Sequence, residues 1–248
     1  MTDQLSLLLE TVLPNLPDGV RPMLPRPLPQ PFDSADHLFE PSWGGLRALA
    51  FIGPSATPGG GEVRLFDGDG RDVASTLPEL AGLAVRVDAR SAVLDGELVV
   101  VDAHGRADAR ELDRRITGRP GRPVAFLAFD LLHLDGRSLL SMPLTRRRQL
   151  LRRVLRPGDE VVAVPAIPLE GRALFDAVVA QGIAGVMARE RASPYLPGVR
   201  SRLWRFIAAA PAKGSAAVDV PDEPPFEGPA NGPVLALIRR LPLLDEDD

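Results

Sequence analysis

The stretch FDSADHLFEPSWGGLR at 32–47 brings Glu40, Ser42 and Arg47 within eight residues of one another. A serine hydroxyl becomes a nucleophile only when a neighbouring base takes its proton. The nearest histidine in sequence is His37, and the other two, His104 and His133, are remote. Ser42 is therefore expected as a small residue beside a strand rather than as a nucleophile. An amine nucleophile is equally hard to find, because only one of the 29 basic residues is a lysine, Lys213. It lies in the stretch KGSAAVDVPDEPPFEGPANGP, where a solvated amine keeps a pKa near roughly 10.4 and stays protonated. With no cysteine and three scattered histidines, thiolate and helical His-pair metal sites are not expected.

Hydrophobic patterning says which elements would hold these residues. GLRALAFI at 45–52 and EVRLF at 62–66 read as strands divided by the loop GPSATPGGG, with a turn at DGDG, 67–70. SAVLDGELVVVDAHG at 91–105 reads as apolar runs punctuated by Asp95-Gly96. VAFLAFDLLHLDG at 124–136 reads as a buried strand ending in a turn. A polar helix is expected over 107–116. In PLTRRRQLLRRVLRPGD, Thr145 can cap a helix whose apolar face is Leu150, Leu151, Val154 and Leu155, and Pro157-Gly158 stops it. Another helix is expected over 169–181, with Leu174, Phe175, Val178 and Val179 apolar, and strands at 185–188 and 203–208. Residues 3–13 could form a short amphipathic helix, and the prolines of 14–31 impose an extended or turning course. Short strands mixed with a few helices indicate an α+β domain.

Taken in order, these segments resemble the adenylation domain of bacterial ATP-dependent DNA ligases of the end-joining type, over about residues 21–208. SPYLPGVRS at 193–201 carries the resemblance most specifically, with AVLDGELVV (92–100) and FLAFDLLHLDGRSLLSMPLTRRRQLL (126–151) in support. The resemblance implies a ligase/capping-enzyme-type nucleotidyltransferase domain of antiparallel sheets flanked by helices, with the nucleotide between them. With 40 residues after Ala208, no C-terminal OB-fold is expected on this chain. Four residues match the family's nucleotide-binding positions: Glu40, Arg47, Glu97 (ribose or metal) and Phe129, whose ring would stack on adenine. On its own sequence context, Phe129 reads as a core residue of an apolar strand.

The same resemblance marks departures. The family's E-x-K-x-D-G-x-R segment has Ser42 where the AMP-carrying lysine belongs and Gly44 where the aspartate belongs. Asp67 and Gly68 stand at a Ser-Arg pair, Ala184 at a metal-binding glutamate, Arg189 at a lysine, and Phe206 and Ala208 at lysines that neutralise phosphates. Lysyl-AMP formation needs a neutral amine aimed at the α-phosphorus. The groups suited to base and ribose are present, and those for nucleophile, phosphate and metal are missing. The family's cofactor is ATP, so ATP or AMP is the ligand implied, while Mg²⁺ loses the carboxylate that Ala184 replaces and no catalytic residue is assigned.

The net charge is −4, so any attraction to DNA must come from a local patch. Arg146, Arg147, Arg148, Arg152, Arg153 and Arg156 form the densest one. Arg152, Arg153 and Arg156 turn away from the apolar stripe and are the DNA-binding candidates, while Arg147 falls on the stripe side. An ordinary solvated helix face has the same pattern. Three segments are expected: 1–20, a ligase-like domain over 21–210, and a Pro/Gly-rich acidic tail over 211–248. The tail's apolar run PVLALIRRLPLL could dock on a partner. Expected partners are DNA, a repair protein or a separate ligase chain. No run approaches the roughly 18 apolar residues of a membrane span, and the acidic start is unlike a secretory signal, so a cytoplasmic location is expected. The leading reading is a non-catalytic ligase-like protein. The alternatives are an active ligase using an unconventional nucleophile or a partner chain, and a pure interaction module.

Overall fold

A computed structural model describes residues 13–209 and 231–239. Its strands are β1 (Leu24–Pro27), β2 (Ser34–Ser42), β3 (Leu46–Ile52), β4 (Val63–Asp67), β5 (Ala92–Val99), β6 (Ala125–Leu134), β7 (Arg137–Ser138), β8 (Val161–Ala163), β9 (Ile167–Leu169), β10 (Gly185–Glu190) and β11 (Arg200–Ala208). The helices are α1 (Ala109–Ile116), α2 (Leu144–Val154), α3 (Gly171–Gln181) and α4 (Gly232–Ile238), and 3-10 turns cover Ala74–Thr76 and Pro78–Arg86. One sheet runs β1-β11-β10-β2-β9; the other runs β4-β3-β5-β6-β7, with β8 also on β6. Most pairings are antiparallel, as expected, but β1 on β11 and β8 on β6 are parallel. The fold is α+β.

Period-two burial gives each sheet its faces. On β3, Ala48, Ala50 and Ile52 enter a core that also holds Leu77, Leu80, Leu94, Leu98, Phe126 and Leu151. The alternate residues Leu49 and Phe51 join Met23, Tyr195 and Trp204 on the opposite side. A third cluster bridges the sheets, taking Phe39, Val186 and Ile207 from one and Val99, Leu127 and Phe129 from the other, with Leu174 and Val178 of α3. The chain passes from the first sheet to the second directly, through Trp43, Gly44 and Gly45 between β2 and β3.

Four local expectations are corrected. Asp95-Gly96 is not a break: β5 runs straight through it, and a side chain on Gly96 would meet the Phe126 ring, so the glycine serves close packing. The register against β6 goes from Asp95–Asp130 to Gly96–Ala128, leaving Phe129 as the extra residue of a bulge. Thr145 does not cap α2; Pro143 holds the N-cap position with no side-chain cap, and the helix stops at Val154, before Pro157. Leu150, Leu151, Val154 and Leu155 lie in or against the core as expected, but Arg148, expected in a surface patch, is buried together with Arg147.

The 3–13 helix falls outside the described residues except for Leu13. The first described residues belong to the core, with Leu16 buried beside Met23 and Tyr195. The described part of the tail's apolar run lies in helix α4, which packs on this chain itself. Val234 is fully buried in the inter-sheet cluster, with Leu235 and Ile238 against its rim. Asn231 anchors the helix start: its amide N–H donates to the Asp159 carbonyl at 3.0 Å, and Nδ2 donates to the carbonyls of Val161 at 3.1 Å and Gly158. Val234→Ala and Asn231→Ala are each expected to lower unfolding stability by about 1–3 kcal/mol in urea titrations. Unchanged midpoints would mean that α4 adds nothing to the core.

Candidate functional site

The site lies where the two sheets face each other. Directly paired residues share a face, as do residues two apart on one strand. The pairings Met187–Glu40, Met187–Phe206 and Arg189–Trp204 therefore put Glu40, Ser42, Gly185, Met187, Arg189, Trp204 and Phe206 on one wall. Opposite them, Arg47 pairs with Glu97, and Asp95 pairs with Asp130 beside the Phe129 bulge. Of these, Glu40, Asp95, Asp130, Arg189 and Trp204 are at most 1% exposed.

The inner part of this cleft is charged. Arg47 donates from Nε and Nη2 to the two oxygens of Asp95, both at 2.5 Å. Asp95 also accepts from the Tyr195 hydroxyl at 2.7 Å, and that oxygen accepts from the Met23 amide at 2.9 Å. Burial works against the Arg47 charge, but Asp95 outweighs it and raises the arginine's pKa. Arg147 grips Asp130 with two hydrogen bonds of 2.9 and 2.8 Å and ties the carbonyls of Met142 and Ser193. Arg148 reaches Glu40 at 2.5 Å and donates to the carbonyls of Phe129 at 2.8 Å and Val164 at 2.6 Å. Arg189 forms the second ion pair to Glu40. Burial lowers Arg148 to about 10 and Arg189 to about 9, so both are cations at neutral pH.

Phe129 sits inside this network. The Arg189 guanidinium carbon is 4.0 Å from its ring centre and that of Arg47 is 4.4 Å away. Arg189 also lies 4.7 Å from the Trp204 ring. Such contacts are cation–π interactions, strengthened by desolvation. Glu97 is engaged differently, holding the strand crossing by accepting from the Gly45 amide at 2.6 Å and the Trp43 amide at 3.3 Å. Burial raises its pKa, and those amides pull the other way.

The outer end of the cleft is uncharged. Ser42 ends β2, opposite Gly185. His37 is on the other face of β2, with Nδ1 2.9 Å from the Ser34 hydroxyl, and cannot serve Ser42 as a base. Gly44 has φ of +76°, and a Cβ there would lie 2.9 Å from the Ala184 Cβ. A side chain on Gly185 would meet the Phe206 ring at 2.9 Å, so that ring covers the glycine. Asp67 does not face the cleft. Paired with Ala48 on the core side, it accepts from the amides of Asp69 at 2.9 Å and Arg71 at 2.8 Å in its own turn.

A family described as the ATP dependent DNA ligase domain matches residues 23–206. The chain belongs to the ATP-dependent DNA ligase family. Among its ligase relatives, the multifunctional non-homologous end joining DNA repair protein LigD of Mycobacterium tuberculosis is 38% identical over 166 residues. That match covers 67% of this chain and 21% of the relative, so the chain spans about a fifth of the LigD length. A probable DNA ligase of Rhodococcus opacus is 36% identical over 152 residues, covering 60% of this chain and 30% of the relative. Among solved structures, a mycobacterial DNA ligase D complexed with ATP and MES superposes with TM-score 0.64 at 32% identity, covering 76% of this chain and 60% of that one. The M. tuberculosis LigD ligase domain gives TM-score 0.62 at 33% identity, over 75% of this chain and 58% of that one.

Within this ligase fold, all four residues picked from sequence, Glu40, Arg47, Glu97 and Phe129, come together at the cleft. Their visible partners are protein groups. Sequence reasoning missed Asp95, Asp130, Arg147, Arg148 and Tyr195; the aspartates interrupting apolar strands were the available signal. Arg147 and Arg148 leave the DNA patch, because both are buried and ion-paired. Arg152, Arg153 and Arg156 remain exposed. Arg21, Arg26, Arg200, Arg202 and Arg205, on or beside β1 and β11, form no ion pair among the described residues. Lys213 lies outside them. Asp130→Ala, which strands Arg147 without water, is expected to cost about 3–5 kcal/mol of stability. Arg172→Ala, removing the exposed pair to Asp33, should cost at most about 1 kcal/mol. Comparable denaturation shifts for the two would contradict a charged core.

Proposed function

We propose that this is a ligase-like domain that does not transfer AMP to itself and that engages DNA, or an adenine nucleotide, without a covalent step. One observation carries the reading: the family-matched residues 23–206 contain no lysine. The family's chemistry needs an amine at the position that the sequence resemblance gives to Ser42. The surroundings of Ser42 support the same reading, since His37, the nearest histidine in sequence, lies on the other face of β2. A triphosphate with its metal does not fit that end of the cleft either. Phe206 offers an apolar ring where charge must be neutralised, and Gly44 and Ala184 bring no carboxylate to a metal. Phosphoryl transfer depends on positioning and charge neutralisation, so losing these together removes the reaction and not only its first step.

The DNA part of the reading rests on Arg152, Arg153 and Arg156 and on the arginines beside β1 and β11. Names such as DNA repair protein and DNA ligase belong to the relatives, and they make nucleic acid the first ligand to test. An active enzyme completed by a partner chain is the second reading. It would need a nucleophile from outside the described residues.

Incubation with α-labelled ATP and Mg²⁺ or Mn²⁺, followed by denaturing electrophoresis, is expected to leave the protein unlabelled beside a labelled authentic ligase. A labelled band would overturn the reading, and peptide mapping would name the nucleophile. The double variant Ser42→Lys, Gly44→Asp is expected to seal no nicks. Beyond the missing charges, residue 44 then takes a side chain at positive φ against Ala184. For DNA, replacing Arg152, Arg153 and Arg156 together by Ala should reduce the slope of log affinity against log salt by about 0.9 per lost phosphate contact. An unchanged slope would remove α2 from the interface.

A further inference from the structure

We propose that Arg189 gates the cleft: its guanidinium takes the ring face of Phe129 that an aromatic base would need, and a base enters only when Arg189 swings away. The proposal rests on reading the cleft as a nucleotide site. It adds which residue decides occupancy and which ligand class is refused.

The geometry comes first. Phe129 is 5% exposed, and two guanidiniums lie over its ring, so a base cannot stack there while both stay. They are not equally held. Arg47 has a two-point grip on Asp95, both hydrogen bonds at 2.5 Å, within a chain that runs on to Tyr195 and Met23. Arg189 has one carboxylate partner, Glu40, and its buried Nε has no hydrogen-bond acceptor. A buried donor without an acceptor is costly, and moving Arg189 towards water relieves that cost. Glu40 is not abandoned by the move, because Arg148 still binds it at 2.5 Å. Arg189 is therefore the cation that can leave.

Planarity makes the arginine an effective plug. A guanidinium is flat and stacks on aromatic faces, as it does here between Phe129 and Trp204, whereas an ammonium is a compact, strongly hydrated point charge. Lysine at 189 would keep the charge and the reach to Glu40 but would not cover the ring. If the closed arrangement holds nine-tenths of the molecules, apparent affinity falls about tenfold below that of the open site.

The test uses the whole chain and AMP as the probe, measured by equilibrium dialysis without metal. AMP has no leaving group, so the result is independent of self-adenylation. Arg189→Lys, Arg189→Gln and Arg189→Met are compared with wild type and with Arg110→Ala, an exposed residue of α1. Each variant is first checked for a cooperative thermal melt. The expected result is weak AMP binding by wild type and Arg110→Ala, with about tenfold or greater tightening in the folded Arg189 variants. Folded variants that bind AMP no better than wild type would overturn the gate. So would failure of all three to fold, which would mark Arg189 as a fixed structural cation. Covalent labelling of wild type by ATP would overturn the non-catalytic reading instead, and the AMP comparison would still decide the role of Arg189.

Discussion

Charge enclosed between two sheets is the constraint on which this structure turns. Arg47, Arg147, Arg148 and Arg189 meet Glu40, Asp95 and Asp130 in a space with little or no access to water. Taking an ion out of water costs several kcal/mol even after the protein relaxes, and only well-aligned partners return that energy. The alignment is visible at two of these pairs. Arg47 and Arg147 each grip an aspartate with two hydrogen bonds, and those aspartates are cross-strand neighbours. The sheets are thus fixed relative to each other by directional contacts, where purely apolar faces could slide.

The backbone is bent to serve these contacts. Phe129 is the extra residue of a bulge on β6, placing Phe129 and Asp130 together on the side away from the Ala128–Leu131 core. Helix α2 supplies the cations by burying Arg147 and Arg148 where an amphipathic helix would carry leucines. Their long apolar stems allow this, and the guanidiniums find carbonyls as well as carboxylates. The crossing from β2 to β3 is tied by Glu97 through two backbone amides, so the loop bearing Trp43, Gly44 and Gly45 cannot drift from the second sheet.

Much of this was legible in the sequence, for physical reasons that also explain the gaps. Strands such as β3, β6 and β10 announce themselves because short, mainly apolar runs between turns must be buried. In SPYLPGVRS, which carried the family, two prolines fix φ and Gly198 takes the positive φ of +71° that the turn needs. The two parallel pairings, the bulge at Phe129 and the return of α4 depend on residues far apart in the chain, which local patterning does not register. Arg148 on α2 was misread for a similar reason. An arginine on a helix reads as solvated until the opposing carboxylate is known, and Glu40 lies 108 residues from Arg148. Asp95-Gly96 read as a turn because that dipeptide favours turns, but tertiary packing against Phe126 overrode the local preference.

The distribution of charge along the cleft bears on how the site came to its present form. Positive charge is concentrated at the inner end, around Glu40 and Phe129, and is absent from the outer end, around Ser42 and Phe206. A nucleotide of the family's kind would need the reverse balance, with a neutral base inside and its phosphates outside. At the outer end the changes fit one another. The missing side chain at Gly44 is the one that Ala184 would meet, and the Phe206 ring rests where Gly185 leaves room. Such mutual fit is how a packed interior absorbs successive substitutions, since each change is tolerated only if its neighbours accommodate its volume. The outer end is therefore packed with its own complementarity, and a charge introduced there would enter against that packing.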